Sequence, residues 1–186
     1  MLQSDELTDV DLLQKAQHGD AEAFGLLYER HAQAVFRFLY SHLNNRMDAE
    51  DLTGEVFLRA WRSLPRYRYQ GAPFLAFLFR VARNALVDAY RRSSTAATDT
   101  VADIETVADA AEPADVVHAN LEREEVRRHL GRLREEYRLV LTLRFIGELS
   151  PEETAQVMEK SGGAVRVLQH RALAALRKLI EGEGVL

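Results

Sequence analysis

The stretch Phe74–Arg92, FLAFLFRVARNALVDAYRR, leaves the chain little choice of local fold. Turned at about 100° per residue it makes a helix with two unlike faces. Leu75, Leu78, Ala82, Ala85, Leu86 and Ala89 fall on one side. Arg80, Arg83, Asn84 and Arg91 fall on the other, with Val87 among them and Arg92 at the end. The apolar side has to be buried against a partner element. The polar side carries a single acid, Asp88, at its margin. A solvated helix face usually mixes both charges, whereas arginine and asparagine are side chains that fork onto phosphates and base edges. An ordinary solvated basic face is the plainer alternative.

The rest of the chain repeats the helical theme. Alternating Val/Ile/Thr runs are scarce and no hairpin dipeptide separates apolar stretches, so the expectation is an all-α protein. Thr8 and Asp11 have capping spacing for a short helix that ends at Gly19. Asp20 caps a long helix to about Leu43, with Ala23, Leu26, Leu27, Ala34 and Phe38 on its buried stripe. Asn44-Asn45 reads as a turn and Asp48 as the cap of a helix to about Ser63, in which Leu52, Val56 and Ala60 form a stripe widened by Phe57 and Trp61. Pro65–Pro73 is a loop, bounded by prolines and broken by Gly71. Beyond Arg92 the composition changes. Residues 93–120 hold six acidic residues, no Lys or Arg and no Phe, Tyr or Trp, the make-up of an extended acidic linker.

Helical signals return after Leu121. A charged turn, Glu122–Leu130, precedes an apolar stretch, Leu133–Ile146, closed by Gly147. Ser150-Pro151-Glu152-Glu153 combines an N-cap, a first-turn proline and a capping-box glutamate, and predicts a helix to about Met158. Ser161-Gly162-Gly163 then predicts a short turn and a last helix over about Ala164–Ile180. Two short helices joined by a tight glycine-bearing turn fit a helix-turn-helix. In the second, Val165, Leu168, Ala172, Ala175, Leu176 and Leu179 face inward, and Arg166, Gln169, His170 and Arg177 face out. Such a helix can enter a major groove. The same pattern also occurs in bundles that bind nothing.

The net charge of −5 argues against a general polyanion binder. The charge is, however, segregated: residues 56–92 hold eight basic residues against one acidic, and 160–180 hold five basic and none acidic. Two focused basic patches suit local contact with nucleic acid. No cysteine is present, which removes disulfides and thiolate metal sites. The six histidines are scattered, and no P-loop, GxGxxG or HExxH motif occurs. The expectation is therefore neither an enzyme nor a metalloprotein, and no cofactor is called for. No apolar run approaches a membrane span and no signal-peptide pattern opens the chain, so a cytoplasmic protein without direct membrane insertion is expected.

Three stretches, taken in order, resemble the extracytoplasmic-function (ECF) sigma factors of the sigma-70 family: DAEDLTGEVFLRAWRSL, APFLAFLFRVARNALVDAYRR and LREEYRLVLTLRFIGELSPEETAQVMEKSGGAVRVLQHRALAALRK. The resemblance implies two small helical domains, 1–92 and 121–186, joined by the acidic linker 93–120, the second containing the helix-turn-helix. It implies no catalytic residue. By position, Asp51, Leu52, Glu55, Phe57 and Leu58 match the motif that binds core RNA polymerase; burial of Leu52 and Phe57 in the core is the alternative. Gly54 departs from the glutamine usual there. Arg66, Tyr67 and Tyr69 match the loop that captures an extruded base of the −10 element, where arginine can hold phosphate and tyrosine can stack. Arg80, Arg83 and Asn84 match DNA-facing positions, and Arg91 and Arg92 would hold duplex backbone. Arg166, Gln169, His170, Arg171 and Arg177 would read the −35 element. The implied partners are core RNA polymerase, promoter DNA both duplex and melted, and an anti-sigma factor. A stand-alone helix-turn-helix regulator and an all-helical adaptor remain as alternatives on the residues alone.

Overall fold

The computed structural model describes residues 7–43, 45–69, 71–96 and 124–183. Among these every regular element is helical, as expected. Most of the acidic linker, the turn residue Asn44 and the predicted start at Leu121 lie outside the described residues.

The first half contains α1 (Asp9–Gln17), α2 (Ala21–His42), α3 (Arg46–Ser63), a 3₁₀ turn (Leu64–Arg66) and α4 (Phe74–Ala96). The second contains α5 (124–131), α6 (Glu135–Leu141) continued by a wide π turn (Thr142–Ile146), α7 (Pro151–Met158) and α8 (Gly162–Glu183).

Helix starts follow from short polar side chains that satisfy otherwise orphaned backbone N–H groups. The hydroxyl of Thr8 accepts from Asp11 N at 3.3 Å while Asp11 accepts from Thr8 N at 2.9 Å, a complete capping box. Asp20 accepts from Ala23 N at 3.0 Å. Ser150 and Glu153 form the second box, at 3.1 and 2.7 Å, with Pro151 in the first turn.

Three boundaries differ from expectation. Asn45, not Asp48, caps α3: its side chain accepts from Met47 N at 2.8 Å, and the helix begins at Arg46. α4 runs four residues past Arg92, to Ala96, so the compositional break at 93 is not the helix end. In the helix-turn-helix the left-handed residue is Glu159 (φ 56°), while Gly162 and Gly163 lie inside α8 behind a Ser161 cap. A glutamate accepts the conformation that the glycines were expected to supply, which costs it about 1–2 kcal/mol relative to right-handed backbone.

Buried apolar side chains from both halves form one continuous core. Phe38, Phe74, Phe79, Leu27, Leu39 and Leu78 anchor the first half, and Val140, Leu143 and Val165 the second. Trp61 packs on Phe24, with ring centroids 4.8 Å apart. The halves meet along a seam where α4 faces α7, and where the end of α2 faces α6 and its π turn. Gly147 lies so close to Phe79 that an added Cβ would sit 2.5 Å from the ring, so glycine here serves close approach. Phe79 was absent from the apolar stripe read along α4; it is fully buried.

Candidate nucleic-acid interface

α4 carries its arginines where the periodicity places them. Ala82, Ala85 and Leu86 are buried, while Arg80 and Asn84 are exposed and Arg83 is half-buried. The preceding loop is held from below. Gln17, near the end of α1, donates its side-chain amide to the carbonyls of Tyr67 (2.7 Å) and Leu64 (3.3 Å). Tyr67 tilts against Phe77, 4.6 Å between centroids, and meets Phe74 edge-on at 6.3 Å. Burial pushes the Tyr67 hydroxyl pKa up. Tyr69 is exposed, and Arg80 lies over the Phe77 ring at 5.7 Å.

Tyr67, Phe77 and Arg80 line a cleft of about 400 Å³ together with Arg66 and Arg68, among others; among the described residues its lining contains no acidic residue and does not include Tyr69. Cations hold phosphate and an aromatic face stacks on any base, so the cleft has the chemistry of a pocket for single-stranded nucleic acid. Phe77 and Arg68 were not in the expected set. The signal that could have found them is their proximity in sequence to Tyr67, Tyr69 and Arg80.

The cleft is not built by the first half alone. Gln156 and Val157, at the end of α7, complete it. Arg83 donates to the Val157 carbonyl at 3.0 Å, capping the negative end of α7.

The residues matched to polymerase binding divide by burial. Asp51 is exposed and Leu58 is 57% exposed, whereas Leu52 and Phe57 are buried at 5% and 3%. Phe57 packs on Tyr28 (4.7 Å) and Phe24 (6.2 Å) and serves as the wall behind α3, not as an open contact surface. Glu55 is engaged by Arg59, which also donates to Asp88 at 2.8 Å, and lies 3.7 Å from Arg92. The Arg59 guanidinium holds the Asp88 carboxyl below its ordinary pKa. Through this network α3 and the end of α4 are tied, and Arg92 faces a carboxylate as well as solvent. Arg91 is exposed. No Cβ at Gly54 would meet a neighbour within 4 Å, so glycine there has no packing cause.

On α8, Val165 and Ala172 are buried, and Arg166, His170, Arg171 and Arg177 are exposed. Arg166 pairs with Glu152 of α7. Gln169 is half-buried and accepts from Arg144 Nε at 2.8 Å, so its amide is partly committed within the protein. Arg144 also donates to the Leu149 carbonyl, bracing the loop before α7.

Where α2 meets α6, His42 is buried with its Nε2 3.1 Å from the Thr142 hydroxyl and its Nδ1 3.4 Å from Glu135. Burial pushes the His42 pKa down, against the pull of Glu135. Glu135 is itself lowered, first by its interaction with His42. The His42 carbonyl accepts from Tyr90 at 2.6 Å and from Arg138 at 3.4 Å. Nearby, Tyr40 donates to Glu124 at 2.9 Å, and Arg127 lies over the Tyr40 ring at 4.5 Å and donates to the Leu43 carbonyl at 3.4 Å. Among the described residues no cluster of three His, Cys, Asp or Glu could hold a metal ion, and no helix is long and apolar enough to cross a membrane.

Comparison with known proteins bears on this geometry directly. The chain matches Sigma-70 region 2 over residues 27–95 and Sigma-70, region 4 over residues 129–178. It is 37% identical to the ECF RNA polymerase sigma factor BldN of Streptomyces coelicolor, over 95% of this chain and 67% of BldN. It is 36% identical to the ECF RNA polymerase sigma factor ShbA of Streptomyces griseus, over 97% of this chain and the whole of ShbA. Its fold is similar to that of CnrH, solved in complex with the cytosolic domain of CnrY, with a TM-score of 0.72 and 29% identity over 94% of this chain and 97% of CnrH. The cleft of α4 falls within the first matched region and the helix-turn-helix of α7 and α8 within the second, and the chain belongs to the ECF sigma factors of the sigma-70 family.

Proposed function

We propose that this chain is a promoter-specificity subunit: it binds core RNA polymerase, directs it to particular promoters and assists strand opening. The observation that carries the reading is the cleft, without an acid among the described residues of its lining, that brings Arg66, Tyr67, Arg68, Phe77 and Arg80 together on the helix that also exposes Asn84. Residues 1–92 form the unit for polymerase binding and −10 reading, 93–120 the linker and 121–186 the −35-reading unit. Arg66, Tyr67, Tyr69, Arg80, Arg83 and Asn84 take the melted −10 strand, and Arg91 and Arg92 the adjoining duplex. Arg166, Gln169, His170, Arg171 and Arg177 take the −35 duplex. Asp51, Glu55 and Leu58 meet polymerase, with Leu52 and Phe57 supporting them from the core.

No catalytic residue is needed. Unpairing a base costs a few kcal/mol, and a pocket that binds only the extruded base offsets part of that, shifting the duplex toward the open state. The same surfaces suit control by an anti-sigma factor, a reading supported by CnrH having been solved with a bound partner domain.

The test uses polymerase reconstituted with the full chain. Promoters are first selected by run-off transcription on genomic DNA. The Arg80→Ala/Asn84→Ala variant is expected to co-elute with core polymerase and to lose permanganate-reactive thymines at those promoters. Failure of the wild-type chain to co-elute, together with tight promoter binding alone, would favour the stand-alone regulator.

A further inference from the structure

A loop that captures a base has to hold its shape before the base arrives, because ordering it on binding would cost affinity. The 3₁₀ turn Leu64–Arg66 closes with a backbone bond from Tyr67 N to the Leu64 carbonyl at 3.0 Å. Leu64 is fully buried, while Arg66, Arg68 and Tyr69 are exposed. At Tyr67 the backbone turns extended, with φ −66° and ψ 131°. The chain leaves its buried anchor there and runs out into solvent.

Gln17 brackets this turn from outside. Its side-chain nitrogen donates to the Tyr67 and Leu64 carbonyls across 50 and 47 positions of sequence. A carbonyl can only accept, so the NH₂ end of the amide must face the loop, and its two N–H groups meet two acceptors. The bond to Tyr67 fixes the peptide from which Arg68 and Tyr69 depart. The bond to Leu64 falls on the carbonyl that already closes the turn. One side chain thus holds both ends of the segment that carries Arg66 and Tyr67.

A side chain can position a loop only if it is itself fixed. Gln17 is the last residue of α1, and the corner behind it is tightly closed. Asp20 N donates to the Lys15 carbonyl at 3.2 Å and Gly19 N to the Ala16 carbonyl at 3.0 Å, with Gly19 at φ 91°. Leu12, Leu13 and Ala16 are buried, and at the far end of α1 Asp9 lies 3.0 Å from Arg30 and 2.6 Å from His31 of α2. The helix is pinned at both ends and along one side. Gln17 itself is half-buried and is not among the residues that line the cleft.

We propose that Gln17 is a positioning residue for base capture: from the end of α1 it holds the Leu64–Tyr67 turn in the shape that presents Tyr67, Arg68 and Tyr69 to an extruded base, without touching the base. This rests on the reading of the loop as part of the −10 site. α1 stays docked through Leu12, Leu13 and Asp9 when the amide is lost, so the effect falls on the bound base and not on the fold.

The test uses polymerase reconstituted with the full chain and a fluorescent single strand carrying the non-template −10 sequence of a promoter selected by run-off transcription. A companion series makes one position at a time abasic. With the wild-type chain one position should stand out as the most sensitive, and it marks the captured base. Gln17→Glu keeps the shape of the side chain but, ionised at about pH 8, cannot donate. Gln17→Ala and Gln17→Glu should each weaken binding of the intact strand on the order of tenfold, and of the strand abasic at the marked position by less than about twofold. Both variants should co-elute with core polymerase as the wild type does.

Unchanged affinity in Gln17→Glu would overturn the proposal, since shape without donation would then suffice. Equal losses on intact and abasic strands would overturn it as well, because the amide would be supporting the first half as a whole; so would failure of both variants to co-elute. A wild-type chain with no sensitive position would bring down the −10 reading of the loop, and the proposal with it. A sensitive wild type with insensitive variants would bring down the role of Gln17 alone.

Discussion

α4 and α8 are near twins in length and pattern, 23 and 22 residues with arginines along the polar side, yet they are anchored very differently. α4 buries Phe74, Leu78, Phe79, Ala82, Ala85 and Leu86, whereas α8 fully buries only Val165 and Ala172. Part of the polar side of α4 is engaged by protein, Arg83 on α7, Asp88 on Arg59 and Arg92 toward Glu55, while Arg80, Asn84 and Arg91 stay exposed. The polar side of α8 mostly faces solvent. The same amphipathic code thus yields a rigid platform in one half and a lightly held reader in the other. A platform suits a site that must force bases out of a stack, because a soft pocket would yield instead of the duplex.

The largest effect should come from the residue that serves both platform and seam. Phe79→Ala removes a fully buried ring that touches Phe38 at 5.0 Å and backs onto Gly147. A loss of about 3–5 kcal/mol is expected in urea unfolding. A loss under about 1 kcal/mol would mean that the seam relaxes around the gap.

Acidification should strain the same seam. The folded-state pKa of His42 is depressed, so the unfolded chain binds the proton more readily. Its contribution is complete above about pH 6.5, the ordinary histidine value, and is lost as pH falls below it. The groups facing it are Glu135, Arg138 and Tyr90. Glu135 is lowered, so its own contribution is present above its ordinary value and disappears only in a more acidic window, as pH falls through its depressed pKa. Melting temperature should therefore fall between pH 7.5 and 5.5 in wild type and much less in His42→Gln. Equal slopes would remove His42 from the account.

Ser150→Ala breaks the capping box of α7 and should cost about 1 kcal/mol, with the loss confined to the second half. Smallest of all, Glu152→Ala removes an exposed ion pair and should change stability by no more than about 1 kcal/mol. It frees Arg166, so duplex affinity of the holoenzyme should rise slightly and grow steeper in salt. A stability loss comparable with that of Phe79→Ala would contradict the light anchoring of α8.

Much of this molecule is legible residue by residue. Both capping boxes are local patterns within four residues, and both form. The stripe of α4 follows from its period, as does the exposed set on α8. What escaped is of two kinds. Asn45 outcompetes Asp48 because any short acceptor can cap and sequence does not say which N–H groups come free. Glu159 takes a left-handed turn with two glycines close by, because packing of α7 against α8 decides where the chain must reverse. The greater gap is the seam. Phe79 against Gly147 and Arg83 against Val157 join residues about seventy positions apart, and periodicity along one helix carries no record of the other. Two features of Phe79 were nonetheless visible: it is large and apolar, and it lies outside the stripe. That combination marks a second buried face.

Trp61 gives the two-part construction an optical consequence. It is the chain's single tryptophan, and its ring sits on Phe24 inside the first half. Its emission witnesses the melting of the platform alone, whereas circular dichroism sums every helix. Superimposable curves from the two signals mark one cooperative unit, and divergent curves mark two. The seam is thus weighed in its own right: the further the two transitions draw together, the more of each half's stability is borrowed from the other.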